Sequence, residues 1–108
     1  MEQTILFAED VYDKIFLGKR CTIRKGRRDM ALGITIFKST DKERTMRGYI
    51  TRVMYCQAQM IPTHYLSNDG YSSVKEMCKD MKKYYDTFDK TTECTVIEFF
   101  PWFSRPKP

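Results

Sequence analysis

Ile15-Phe16-Leu17-Gly18-Lys19-Arg20-Cys21-Thr22-Ile23-Arg24 reads as the end of a helix, a glycine stop and an alternating strand, and the rest of the chain is read outward from it. Upstream, Val11 and Ile15 repeat at helical spacing over residues 10–17. Glu9 and Asp10 fall in that helix's opening turn and Lys14 near its end, which complements the backbone dipole. In a strand, Cys21 and Ile23 turn to the core while Arg20, Thr22 and Arg24 share the other face. Two cations and a hydroxyl then line one surface.

Residues 3–7 are short and β-prone, so a strand precedes the helix. Lys25-Gly26-Arg27-Arg28-Asp29 is a turn, residues 33–37 are a further strand, and the polar residues 38–44 are a hairpin loop. From 46 to 61 runs a long strand candidate, with Gly48 as a possible bulge and Pro62 ending it by removing a ladder donor. Its length suggests a bent strand of a barrel. Residues 63–70 can hold a helical turn and close on the turn signal Asp69-Gly70.

The clearest helix is 73–85. Ser73 and Glu76 fit a capping box, and Val74, Met77, Cys78, Met81 and Tyr85 form one apolar stripe. Lys75, Lys79, Lys82 and Lys83 take the wet side, as an amphipathic helix requires. Residues 93–100 are a buried strand halted by Pro101, and the proline-rich tail 101–108 follows, with Trp102 and Phe103 expected to dock on the domain. The order of elements fits an α+β fold, a small mixed β-barrel with two helices.

The 108 residues suffice for one core, so one domain over 1–100 is expected. Hydrophobic residues at 42% and aromatics at 14% are enough to bury area that offsets chain entropy. No stretch approaches the roughly 18 apolar residues of a membrane helix, and no leader pattern opens the chain, so a soluble, cytoplasmic protein with no membrane partner is expected. Cys21, Cys56, Cys78 and Cys94 are widely spaced in apolar segments and read as reduced core thiols. With His64 as the single histidine, no metal site and no cofactor are expected.

Between residues 14 and 28 lie seven basic residues and no acidic one: Lys14, Lys19, Arg20, Arg24, Lys25, Arg27 and Arg28. On a strand and its flanking turns they offer phosphate oxygens both forked Arg donors and point-like Lys charges. The net charge of +5 permits an anionic partner without demanding one. The competing reading is a strand edge carrying solubilising charge.

The run from Ile15 to Arg24, with Gly33-Ile34-Thr35-Ile36 after it, resembles the ASCH domain family, whose members have a PUA-like β-barrel. The stretches Asp69 to Met77 and Cys94 to Phe99 also match that family's layout, so the resemblance covers about residues 4–100. It implies a small module that binds RNA or a modified nucleoside through Arg20, Arg24, Lys25, Arg27 and Arg28, with Tyr49, Tyr55 or Tyr71 stacking on a base. It alternatively implies an amidohydrolase that deacetylates N4-acetylcytidine through the family pattern Gly-x-Lys-x-x-Thr-x-Arg and a Glu ahead of a later helix. Thr22 matches that Thr and Arg24 that Arg. Only three residues separate Gly18 from Thr22, one fewer than in the pattern, so the lysine position falls on Arg20 counted forward or on Lys19 counted back. Asp69 is the carboxylate nearest to the family's Glu. The catalytic set implied is Lys19, Thr22 and Asp69, with Thr22 attacking, Lys19 taking its proton and Asp69 protonating the departing amine. A third reading is a bacterial or phage regulator that seizes a protein partner through the tail or the lysine face of the 73–85 helix.

Overall fold

The computed structural model describes residues 3–41 and 43–102. Its elements in chain order are β1 (Gln3–Phe7), α1 (Glu9–Ile15), β2 (Cys21–Lys25), β3 (Gly33–Ser39), β4 (Thr45–Gln57), a 3-10 turn (Ala58–Met60), α2 (Thr63–Asn68), α3 (Val74–Met81) and β5 (Glu93–Pro101). The five strands lie in one mixed sheet in the order β1-β3-β4-β5-β2. β1 pairs parallel with β3, and β3 pairs antiparallel with β4 from Gly33↔Ile50 to Lys38↔Thr45. The described residues divide into two compact units, one within 3–20, 30–53 and 98–102 and the other within 21–29 and 54–97. The expected helix pair is joined by α2, where the sequence suggested a single helical turn.

In the first unit, β1, α1, β3 and the first part of β4 enclose Ile5, Phe7, Tyr12, Ile15, Phe37, Ile50 and Phe99, all buried. The rings of Phe7, Phe37 and Phe99 meet at 4.9 to 5.9 Å, edge-on or tilted, the arrangement aromatic quadrupoles favour. Helix α1 ends as its glycine predicted. Gly18 takes φ +110°, the Lys19 amide donates to the Lys14 carbonyl at 3.0 Å and the Gly18 amide to Ile15 at 3.4 Å, the paired bonds of a Schellman stop. Trp102 packs on Tyr49, with ring centroids 5.4 Å apart, as expected of a docking aromatic. Phe103 and the rest of the tail lie outside the described residues.

Gly48 is in regular register opposite Thr35, so it makes no bulge in this pairing. A Cβ built there stands 2.5 Å from the Phe37 ring and 2.6 Å from the Phe100 carbonyl oxygen, closer than real contacts allow. Glycine therefore serves packing: it lets a buried ring lie flat on the strand.

In the second unit, one apolar cluster holds Cys21, Ile23, Ala58, Ile61, Tyr65, Leu66, Met77, Met81, Phe88, Cys94 and Val96. Helix α3 contributes Met77 and Met81 from the expected stripe and stops earlier than expected, because after Met81 the chain closes in i→i+3 bonds, Lys83 to Asp80 and Tyr84 to Met81. Ser73 caps it through the Glu76 amide at 3.1 Å, while the Glu76 carboxylate takes the amide and hydroxyl of Ser72, one residue outside the usual capping box. Those two donors hold the Glu76 carboxyl below the ordinary carboxylate range. Cys94 is fully enclosed and its thiol is pushed up to about 12 by burial, so it stays protonated and unreactive at neutral pH.

Substituting Gly48→Ala is expected to lower stability by about 1–3 kcal/mol, overpacking outweighing the smaller entropy gain of losing a glycine. The urea midpoint of the variant measures it, and an unchanged midpoint is incompatible with the tight packing of Phe37 against residue 48.

Candidate ligand-binding turn of the second unit

β2 stands at one end of the strand order, where charged residues commonly serve only to blunt an edge. Its burial says otherwise for part of the segment. Cys21, Thr22 and Ile23 are all buried, and Arg24 and Lys25 are half-buried, so this strand is covered on both faces rather than on the one that alternation implied.

Thr22 and Arg24 share a face as expected, and Arg24 Nε donates to Thr22 Oγ1 at 3.0 Å. Burial of the guanidinium lowers its proton affinity below that of an ordinary arginine, with the nearby Arg28 charge acting in the same sense and Tyr85 against it. A guanidinium placed there is costly unless hydrogen-bonded, and the Thr22 hydroxyl is one of the groups that compensate it.

Beyond Arg24 the chain turns sharply. Gly26 takes φ +81°, a conformation that favours glycine, and its amide donates to the Glu93 carbonyl at 2.7 Å. The buried hydroxyl of Thr95 donates to the Gly26 carbonyl at 2.7 Å and accepts the Arg28 amide at 2.8 Å. A single side chain of β5 thus clamps both ends of the turn. The Tyr55 hydroxyl adds a bond to the Arg28 carbonyl at 3.0 Å.

The cations on this frame do different things. Lys25 donates through Nζ to the carbonyl and the hydroxyl of Thr87, at 2.7 and 2.8 Å, which leaves one of its three donors. Arg28 is exposed and donates through Nε to the Lys25 carbonyl at 3.1 Å, a bond that does not use its two terminal nitrogens. Arg27 lies over the Tyr55 ring, its guanidinium carbon 3.9 Å from the centroid, with its side chain 62% exposed. Its ion pair with Asp29 is long, at 3.8 Å, and open to solvent, and contributes little.

The remaining predicted residues lie elsewhere. Lys19 and Arg20 belong to the first unit. Lys19 is buried, and Arg20 Nη1 donates to the carbonyls of Ile15 and Lys19 at 3.0 and 2.7 Å, securing the exit from α1, while its guanidinium lies 5.8 Å from the Phe100 ring centre. Asp69 is half-buried at the end of α2, its amide donating to the Tyr65 carbonyl at 3.0 Å, beside Gly70 at φ +91°. Of the three tyrosines offered as stacking partners, Tyr49 is taken by Trp102, Tyr71 donates its hydroxyl to Asp80 at 2.6 Å, and Tyr55 alone sits at the basic turn. The residue that sequence reasoning passed over is Thr95. Its signal was a hydroxyl within the otherwise apolar run Cys94-Thr95-Val96-Ile97, where a buried donor must have a partner.

Thr95→Val keeps the shape and removes both bonds to the turn. It is expected to cost about 1–3 kcal/mol, since a carbonyl and an amide lose their partner, and to speed amide exchange at Gly26 and Arg28, which hydrogen-exchange NMR reads directly.

No family model matches the sequence, and no curated protein matches it. Solved structures do match the fold. An ASCH domain from Lactobacillus crispatus is 15% identical with a TM-score of 0.69, the alignment covering 92% of this chain and 78% of that one. A mutant ASCH protein from Zymomonas mobilis is 17% identical with a TM-score of 0.61, over 93% of this chain and 70% of that one. A protein from Enterococcus faecalis placed in a family of uncharacterised function, DUF984, is 10% identical with a TM-score of 0.66, over 96% and 79%. Among the described residues no helix is long and apolar enough to cross a membrane. The mixed five-stranded sheet with its helices is therefore the small α+β, PUA-like fold of the ASCH domains.

Proposed function

We propose that this chain is an ASCH-type module that binds RNA, or a modified nucleoside within it, through residues 24–28 and Tyr55. The observation that carries the reading is the stack of Arg27 on Tyr55 at 3.9 Å, on a turn clamped by Thr95. A guanidinium held over a ring is pre-organised: it can stack on an unpaired base while still donating to phosphate. Arg28 supplies a second fork, and the remaining Lys25 donor a point charge. The bonds from Thr95 and Tyr55 already fix the turn's backbone, so ordering it costs little on binding.

Single-stranded RNA fits better than a duplex. One stacked cation and two further charges on a tight turn match one or two nucleotides with splayed bases, whereas duplex recognition needs a surface that spans grooves. Fluorescence anisotropy with a short labelled single-stranded RNA tests the reading. Binding is expected to weaken steeply with salt. Arg27→Ala with Arg28→Ala is expected to reduce the slope of log K against log salt by about 1.4, two phosphates at about 0.7 each. Tyr55→Leu is expected to weaken binding while leaving the slope unchanged, because it removes stacking and no charge. A wild-type affinity that ignores salt removes the proposal.

A second reading is favoured by one contact. Arg24 donates to the Thr22 hydroxyl, which draws charge from that oxygen and leaves the hydroxyl's own proton to be passed on. In an N4-acetylcytidine amidohydrolase Thr22 would be the nucleophile, the role the resemblance gives it. Thr22 is 5% exposed, so substrate entry would require the cover over β2 to open, and this keeps the reading second. Wild-type protein and Thr22→Val are incubated with N4-acetylcytidine and cytidine is followed by chromatography. Release by the wild type and none by the variant establishes it, and no cytidine at stoichiometric enzyme ends it.

A further inference from the structure

The second unit carries a groove of 760 Å³ that the RNA-binding reading does not use, lined by Gln59, Val74, Lys75, Cys78, Lys79, Lys82, Phe88, Asp89 and Lys90. Its floor is apolar: Val74 and Cys78 are half-buried on α3, and Phe88 is buried in the core cluster. Its rim is cationic. Lys75, Lys79, Lys82 and Lys90 are all exposed.

Two features distinguish this rim from an ordinary solvated helix face. The turn that follows α3 carries one further lysine, Lys83, and that one is paired with Asp80 at 3.1 Å. Among the described residues no hydrogen bond or ion pair engages the ammonium groups of the four groove lysines, although the Lys90 carbonyl accepts the Gln59 amide at 2.9 Å. Its one carboxylate, Asp89, is turned inward on its own loop, where it accepts the Thr91 amide at 2.8 Å and the Thr91 hydroxyl at 2.6 Å. Positive charge at the rim is thus left unbalanced over an apolar floor. Second, Lys75 and Lys79 stand at i and i+4 on α3 and Lys82, its C-cap in helical conformation, follows at i+7, so the three are spaced along about 10.5 Å at 1.5 Å per residue. A helix laid alongside with acids at the same spacing places a carboxylate opposite each lysine, while its neighbouring stripe reaches the floor.

We infer that this groove is a docking site for an acidic amphipathic helix of a partner protein, held by one or two apolar side chains on Val74, Cys78 and Phe88 and oriented by glutamates or aspartates facing Lys75, Lys79 and Lys82. This is the helix-in-groove mode, in which apolar anchors give affinity and the charged rim gives orientation and on-rate. A lipid surface fits poorly, because the apolar groups form a floor and none projects outward to enter a bilayer. RNA fits poorly too: the only ring in the lining, Phe88, is 2% exposed and offers no face for a base, and no arginine is present to fork a phosphate.

The test is an NMR titration of the ¹⁵N-labelled full chain with a synthetic amphipathic peptide. The peptide carries glutamates at i, i+4 and i+7 with leucines on the adjoining stripe, and a control peptide has the same composition in scrambled order. Saturable shifts are expected at Val74, Cys78, Lys79 and Phe88 with the patterned peptide. Affinity is expected to fall about tenfold in a variant combining Lys75→Glu, Lys79→Glu and Lys82→Glu. Should that variant unfold, the same three positions changed to Gln remove the attraction without reversing it and are expected to weaken binding in the same direction. Arg27→Ala with Arg28→Ala is expected to leave peptide affinity unchanged, which separates this surface from the proposed RNA site. The inference is overturned by equal binding of the scrambled peptide, by no shifts up to about 1 mM peptide, or by RNA or anionic vesicles perturbing the groove residues where the patterned peptide does not.

Discussion

The basic turn of the second unit depends on one hydroxyl. Thr95 lies in β5 among apolar neighbours and spends both its donor and its acceptor capacity on residues 26 and 28, so that a strand interior dictates the shape of a surface turn. Buried polar groups that are satisfied specify geometry, because a shift of the turn leaves the fully buried Thr95 hydroxyl without partners. The arginines then inherit rigidity that their flexible stems lack. Gly26 completes the arrangement by adopting a backbone conformation that side-chain-bearing residues avoid.

Much of the fold was legible because it rests on periodicity and on chain-breaking residues. Alternation placed Cys21 and Ile23 in the core, the glycine at 18 closed α1, and the spacing of Met77 and Met81 set the buried face of α3. What escaped were features settled by distant partners. Gly48 looked like a bulge, since glycine in a strand commonly marks one, yet its reason is the Phe37 ring, a contact no local pattern encodes. Helix α3 ends before Tyr85 because the chain tightens after Met81, and propensity alone sets no such limit.

The candidate site was legible in charge and illegible in role. Seven cations within fifteen residues announced a basic segment, but sequence treats them as equals. In the folded chain they divide. Arg20 ties down backbone carbonyls, Lys25 braces the Thr87 loop, Arg24 is half-buried against Thr22, and Arg27 and Arg28 remain outermost. Charge density in a sequence therefore overstates the number of groups that can meet a ligand, since a cation already donating to carbonyls must give those bonds up before it can donate elsewhere.

The same reasoning separates the two basic surfaces by chemistry. Around the turn the outer cations are arginines, one of them lying on a tyrosine: planar, weakly hydrated and suited to stacking and forked donation. Around the groove they are lysines, compact and strongly hydrated, set above an apolar floor with no exposed ring. Lysine ammoniums over aliphatic surface orient an acidic partner without fixing its geometry, while the partner's apolar residues supply the contact area. The two proposed surfaces thus differ by side-chain type at equal charge: arginines suit planar ligands, and lysines over an apolar floor suit a helix.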